Sequence, residues 1–364
     1  MTYIRAITTA VPANKTTMND LLEWSDTAYS DSRTLRKFKF IVQRSGIHSR
    51  FSVLPDFQKG GGDFFGTNTD ASEELPATST RLKLFKTAAI EIGTKAAVEC
   101  LENASLKPGD ITHIIAVSCT GIMAPGLEIL WSKTLGLPQE TQRLTVNFMG
   151  CYAAFHALRL AKLICSEQAA ARVLIIAAEF CTLHFRNTNR EADLLSTAIF
   201  ADGCAALILE GESSGKTQVK WLGGISRLAD APDDMSWNIL EDGFEMQLTG
   251  NVPVIIEEHI LSVFLELLRK HQVNREDIDY FAIHPGGKNV LHAFEKAIGI
   301  DSEILRESYH VLSNYGNMSS PTVLFVLKEV MENFEASEKK SALVFSAAFG
   351  PGLTIEAALI TFNK

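Results

Sequence analysis

No apolar run free of charge reaches the roughly 18 residues that a membrane-spanning helix needs. The opening, MTYIRAITTAVPANK, lacks the basic start, apolar core and small-residue cleavage site of a secretory leader, so a cytoplasmic protein is expected. Its six cysteines (Cys100, Cys119, Cys151, Cys165, Cys181 and Cys204) form no CxxC pair. That scatter points to reduced thiols, with neither a disulfide frame nor a metal site. Basic residues are outnumbered, 34 Lys and Arg against 43 Asp and Glu, and the net charge of −9 argues against a nucleic-acid partner. What remains is ordinary for a globular enzyme, 46% hydrophobic and 21% charged, and 364 residues suit two similar halves around a shared core.

Apolar strand-like runs alternate with helical periods, the mark of an α/β protein. Residues 55–80, rich in Gly, Thr and acidic residues, read as a loop. Four stretches then recur in order. TAAIEIGTKAAVECLENASLKPGDITHIIAVSCTG pairs with IIEEHILSVFLELLRKHQVNREDIDYFAIHPGG, and PGLEILWSKTLGL with GGKNVLHAFEKAIGI. LTVNFMGCYAAFHALRLAKLI pairs with HVLSNYGNMSSPTVLFVLKEVM, and ARVLIIAAEF with KSALVFSAAF. One chance match is easy and four in order are not. We therefore expect a duplicated α/β unit, residues 1–214 and 215–364, joined through the polar EGESSGKTQ. The duplication sets Cys151 and Asn317 at equivalent positions, each expected where a strand gives way to a helix, and sets His284 at the other turn of the second half.

Three residues carry the chemistry. Cys151 stands at the start of an expected helix, where the positive dipole end and open N–H groups favour a thiolate. The competing use is a small buried hydrophobe, the expected fate of the other five cysteines. His284, in FAIHPGG, ends a buried strand, where the loops of α/β folds gather function; a satisfied core histidine is the alternative, and His156 is assigned to it. Asn317, in SNYGNMSSP, could simply cap a helix. Together they suit a condensing enzyme. A thiolate holds the acyl chain, while a neutral imidazole N–H and an amide donate to the enolate oxygen formed on decarboxylation. A papain-like Cys-His-Asn hydrolase is disfavoured by the duplication and by the absence of that family's local motifs.

The motifs NFMGCYAAFHALRLAK, IHPGGKNVL, YGNMSSPTV and FGPGLTIE resemble those of type III polyketide synthases, the chalcone-synthase-like family, along nearly the whole chain. Ketoacyl synthase III enzymes share the Cys-His-Asn logic but read HQAN and NTSAAS-like at the matching places, which this chain lacks. The resemblance implies a thiolase-like fold of αβαβα layers, a homodimer, and acyl-CoA and malonyl-CoA as substrates with no cofactor. Cys151 is then the acyl nucleophile, with His284 and Asn317 as the decarboxylation pair. Phe200 matches the gatekeeper phenylalanine, and Met246 stands at the second gatekeeper.

The same resemblance places Cys119, Thr120, Ser319 and Phe349 in the cavity wall. Cys181 and His184 take positions often threonine in plant members, and Ala124 takes that of a methionine reaching across the dimer. Trp237 falls near a family glycine. Small residues at Thr120, Ala124 and Cys181 resemble members with a tunnel for a fatty acyl starter, and Trp237 shrinks the aromatic-starter pocket. An aliphatic starter is therefore expected, leading to an alkylpyrone, alkylresorcinol or similar ring.

Coenzyme A contacts fall to Lys37, Arg44, Gly287 and Asn289, with Phe40 replacing a family cation. The basic stretch from Arg33 to Arg50 otherwise reads as a solvated helix face. A ketoacyl synthase III-like single condensation and a non-catalytic scaffold on the same fold are the competing functions.

Overall fold

The computed structural model describes residues 1–58, 61–62, 64–65, 75–212 and 217–364. The expected 214/215 boundary and much of the 55–80 loop lie outside the described residues.

The first half runs β1 (Tyr3–Ala10), β2 (Asn14–Thr17), α1 (Met18–Ala28), α2 (Ser32–Arg44), β3 (Ser49–Ser52), α3 (Thr78–Ala104) and β4 (His113–Ser118). It continues with α4 (Leu127–Leu135), β5 (Gln142–Asn147), α5 (Ala153–Glu167), β6 (Arg172–Phe180), α6 (Glu191–Ile199) and β7 (Asp202–Glu210). The second half runs β8 (Gln218–Leu228), β9 (Met235–Leu240), β10 (Gly243–Leu248), α7 (Val252–His271), β11 (Tyr280–Ile283) and α8 (Lys288–Ile298). It closes with α9 (Arg306–Tyr315), α10 (Thr322–Ala336), β12 (Ser341–Gly350) and β13 (Thr354–Asn363).

Among the described residues nine strands form one sheet in the order β11-β12-β13-β8-β1-β7-β6-β4-β5. The two halves mirror one another about the β8–β1 pair, where Tyr3 faces Lys220. Their details repeat as well. Each has a short polar turn before its first buried strand, closed by an aspartate that accepts a backbone N–H three residues back: Asp110 from Lys107 at 2.8 Å, Asp277 from Asn274 at 2.6 Å.

Strands buried on both faces alternate between two cores. In β6, Val173, Ile175 and Ala177 face the core built around α5 and α10. Leu174, Ile176 and Ala178 face the one that takes α3, α4, α7 and α8. β13 does the same with Ala358, Ile360 and Phe362 against Ile355, Ala357 and Leu359. Such strands read as continuous apolar runs because neither face meets water. Each fully buried Ile or Leu contributes about 1.5–3 kcal/mol. The two halves of the sheet thus act as two layers, with α5 and α10 between them and α3, α4, α7 and α8 on their other faces. No described helix is long and apolar enough to cross a membrane.

Four sequence expectations need correction. HVLSNYG was paired with a strand, yet all but its final glycine lies in helix α9, so among the described residues the second half has no counterpart of β5. Its buried residues, Glu307, Ser308, Val311 and Leu312, recur at helical spacing, and the side chain of Asn314 donates to the His310 carbonyl. Cys151 does not begin α5; it sits in a 3-10 turn, Gly150–Tyr152, ahead of Ala153. The end of the 55–80 stretch is already helical from Thr78. Finally, Arg50 is no surface cation: it lies just beyond α2 in β3 and is buried. His156 is partnered as expected, its Nε2 3.2 Å from the buried Glu356 carboxylate, though its side chain keeps part of its surface in water.

Candidate active site

Each half delivers its polar residue straight after a left-handed glycine. Gly150 has φ +72°, and a Cβ there would stand 2.6 Å from Pro351 Cδ. Gly316 has φ +69°, and a Cβ there would stand 3.1 Å from the Ile199 carbonyl oxygen. Only glycine takes these turns without strain. Cys151 follows the first and Asn317 the second, and both are buried. A parallel bridge fixes Asn317 to the first half: its N–H donates to the Ile199 carbonyl and its carbonyl accepts from Ala201 N–H, both at 2.9 Å.

The Asn317 side chain is oriented at both ends. Its Oδ1 accepts the Ser319 N–H at 2.8 Å, and its Nδ2 donates to the Gly286 carbonyl at 3.1 Å, which leaves a second amide proton for a ligand. Cys151 Sγ lies 3.9 Å from Asn317 Oδ1. His284 follows β11, its N–H donating to the Ala347 carbonyl at 2.8 Å. The ring is buried, and neither nitrogen has a hydrogen-bond partner in the protein. A Cβ on Gly286 would lie 3.7 Å from His284 Nε2, so the imidazole edge and the Asn317 amide flank the same glycine.

Burial sets the protonation. It pushes the Cys151 thiol up to about 12, against the lowering effect of its hydrogen bonds with Ser319 and Asn317. It pushes His284 down to about 3. The thiolate expected at a helix start is therefore overridden: the helix begins two residues later and desolvation dominates.

Cys151, His284 and Asn317 line one cavity of about 930 Å³. Cys119, Thr120, Cys181, Phe200, Met246, Trp237, Ser319 and Phe349 line it too, and Arg44, Gly287 and Asn289 belong to the same lining. Three expected residues do not. Ala124 lies in an exposed segment outside its own chain's cavity. Lys37 is outside, held by Glu191 at 2.7 Å. His184 sits behind the wall, Nε2–H donating to the Thr120 carbonyl at 2.7 Å and Nδ1 accepting the Phe244 N–H at 3.1 Å. Its ring stacks on Phe244 at 4.0 Å, and burial drives it down to about 3, so it is a neutral strut. Trp237 donates its indole N–H to the Cys119 carbonyl at 2.6 Å, closing that side of the cavity.

Two supporting residues escaped the sequence reading. Glu179 is fully buried behind Cys119 and Ser320. Its carboxylate accepts the N–H groups of Cys119 and Thr120 at 2.9 and 3.0 Å and the hydroxyls of Thr120 and Ser320 at 2.7 and 2.6 Å. Burial nevertheless raises its pKa. A lone carboxylate inside VLIIAAEF was the available signal, because an unpaired charge has no place in a doubly buried strand. Arg50 donates to the carbonyls of Thr197 and Phe200 at 2.5 and 2.8 Å, clamping the end of α6 and with it the backbone of Phe200. Nothing local in GIHSRFS announces that role. Among the described residues no group of three or more His, Cys, Asp and Glu side chains is placed to hold a metal ion.

Comparison with known proteins completes the description. The family profile "Chalcone and stilbene synthases, N-terminal domain" matches residues 1–213, and its C-terminal counterpart matches residues 227–362. A "Putative chalcone synthase" of Bacillus subtilis is 30% identical over 385 residues, covering 100% of both chains. The "Alpha-pyrone synthesis polyketide synthase-like Pks18" of Mycobacterium tuberculosis is 28% identical, over 98% of this chain and 90% of its own. The crystal structure of PKS-I from the brown alga Ectocarpus siliculosus superposes with a TM-score of 0.91 at 29% identity, over 99% of this chain and 97% of that one. The chain spans 11% of the length of the two Dictyostelium discoideum polyketide synthases it also matches.

Proposed function

The chain belongs to the chalcone and stilbene synthase family, acyltransferase-type enzymes of thiolase-like fold, and from that premise we propose that it is a type III polyketide synthase whose chemistry is carried by Cys151, His284 and Asn317. One observation carries the reading. A thiol, an imidazole with both nitrogens unpartnered and an oriented amide, drawn from both halves of the chain, line one cavity.

Loading begins when Cys151 Sγ attacks the acyl-CoA carbonyl. Its proton passes through His284 to the departing coenzyme A thiolate, leaving the acyl group on sulfur. Malonyl-CoA then loses carbon dioxide, and the enolate oxygen is held by His284 Nε2–H and the second proton of Asn317 Nδ2. The enolate carbon attacks the Cys151 thioester, Cys151 leaves as thiolate, and the chain, now longer, is on coenzyme A. Repetition and cyclisation give the ring.

An aliphatic acyl starter is the substrate class this reading favours. Leu195, Ile199, Met235, Leu248 and Ile256 supply an apolar lining, while Trp237 occupies space an aromatic starter would need. The mycobacterial relative's name speaks of alpha-pyrone synthesis, and a lactone or resorcinol ring from an alkyl chain is the product proposed here. Coenzyme A is held at Arg44, Gly287 and Asn289. A cytoplasmic homodimer belongs to the same reading. Strand β5 is a sheet edge with exposed Gln142, Arg143, Leu144 and Thr145, a surface that another chain can cover, and all six cysteines are free thiols.

Incubation with radiolabelled malonyl-CoA and a panel of acyl-CoAs is the test. Multiply extended products are expected, longest with alkyl starters. A single β-keto product would identify a one-step condensing enzyme and sink the proposal.

A further inference from the structure

Helix α2 brings to the cavity mouth a side chain that the condensation chemistry does not use. Phe40 lines the cavity with Ile41 and Arg44, yet it keeps 55% of its surface exposed. The Arg44 guanidinium, one turn along, lies 4.3 Å from the ring centroid. One face of the phenyl ring is therefore backed by a cation and the rest is open. Neighbouring charges are unevenly committed. Lys37 is paired with Glu191, and Arg190 with Glu245. Arg44 and Lys288 line the cavity with no carboxylate partner among the described residues. The Lys288 side chain passes 3.5 Å from where a Cβ on Gly46 would stand, which brings it beside the end of α2.

A phenyl ring cannot bind phosphate. An open aromatic face backed by a guanidinium suits another flat π system, since base–aromatic stacking and cation–π attraction act on the same sandwich. Resting on the coenzyme A thioester reading above, we propose that Phe40 binds the adenine ring of coenzyme A by stacking, with Arg44 behind it and Lys288 left to the phosphates. The mouth then recognises its carrier nucleotide by the base as well as by charge.

The test separates base from phosphate from thioester. Phe40→Ala is expected to raise KM for malonyl-CoA about tenfold, the scale of one lost base stack, with kcat little changed. The same rise is expected for malonyl-3′-dephospho-CoA and none for malonylpantetheine, which has no adenine. Phe40→Trp should restore the KM for malonyl-CoA. No rise with malonyl-CoA, an equal rise with malonylpantetheine, or a rise confined to the fully phosphorylated thioester overturns the proposal. Calorimetric titration with 3′,5′-ADP reads the stack without turnover, and Kd should weaken by the same factor in Phe40→Ala. An unchanged Kd counts against stacking, whereas absent condensation in the unaltered protein counts against the functional reading alone.

Discussion

The two halves solve the same local problem by different routes. In the first, the edge strand β5 leads through Gly150 to Cys151. In the second, helix α9 leads through Gly316 to Asn317. The glycine, the following polar residue and the middle-layer helix survive in both; the element before them does not. A duplicated scaffold thus keeps the turn that presents a side chain and lets the approach to it diverge. Divergence also leaves the terminal strand of the first half, β5, mostly exposed, whereas that of the second, β11, is mostly buried.

If the nucleophile belongs to one half and the enolate donors to the other, their losses should differ in kind. Cys151→Ala should abolish condensation and any acyl adduct seen by mass spectrometry, while malonyl-CoA is still decarboxylated to acetyl-CoA. Persistent condensation would break the assignment. Asn317→Ala should lower decarboxylation and condensation by about 10²–10³, the usual cost of one oxyanion donor, yet still accept the starter on Cys151. Loss of the adduct instead would place Asn317 in loading.

The glycines sharpen the comparison through stability. Gly150→Ala and Gly316→Ala should each cost about 1–3 kcal/mol in urea denaturation for the left-handed backbone alone. Gly150→Ala should cost more, because Pro351 stands 2.6 Å from the new Cβ whereas the Ile199 carbonyl oxygen stands at 3.1 Å. The reverse order would mean that the second turn is the tighter one.

The smallest effect is a pH slope to which both halves contribute imidazoles. His184 and His284 are both driven by burial to about 3. As pH falls below the ordinary histidine value near 6.5 the unfolded chain takes up protons that these two rings refuse in the fold, as do His113 and His271, which burial also lowers, so stability present at neutral pH is lost. Asp202, raised by burial to about 6, protonates early in the fold and offsets part of this below pH 6. The urea midpoint should therefore fall from pH 6.5 downward. His184→Gln should make the slope between pH 6.5 and 6 shallower; an unaltered slope would show that His184 is not refusing a proton.

The mirror order of elements was legible because doubly buried strands and amphipathic helices leave apolar patterns that survive duplication, as in ARVLIIAAEF and KSALVFSAAF. Cys151, His284 and Asn317 stood out by their positions in that repeat. Helix α9 was misread because pairing with LTVNFMG outweighed its own spacing at Ser308, Val311 and Leu312. The Arg50 clamp and the Trp237–Cys119 hydrogen bond were illegible for a different reason. Their partners, Phe200 and Cys119, lie 150 and 118 residues away, and no local pattern records such a pairing. The thiol's resting state was misjudged because a dipole is visible in sequence and desolvation is not.

The bridge between Asn317 and residues 199–201 has a consequence for how such a protein can change. Phe200, a gatekeeper by the family resemblance, shares its backbone with the strand-like contact that steadies the amide. Remodelling residue 200 would therefore also disturb the backbone that seats the Asn317 amide, the enolate donor of the proposed mechanism. Selection for novel substrates would pay in turnover, and substitutions at Phe200 and Asn317 would be epistatic, each read correctly only in the background of the other.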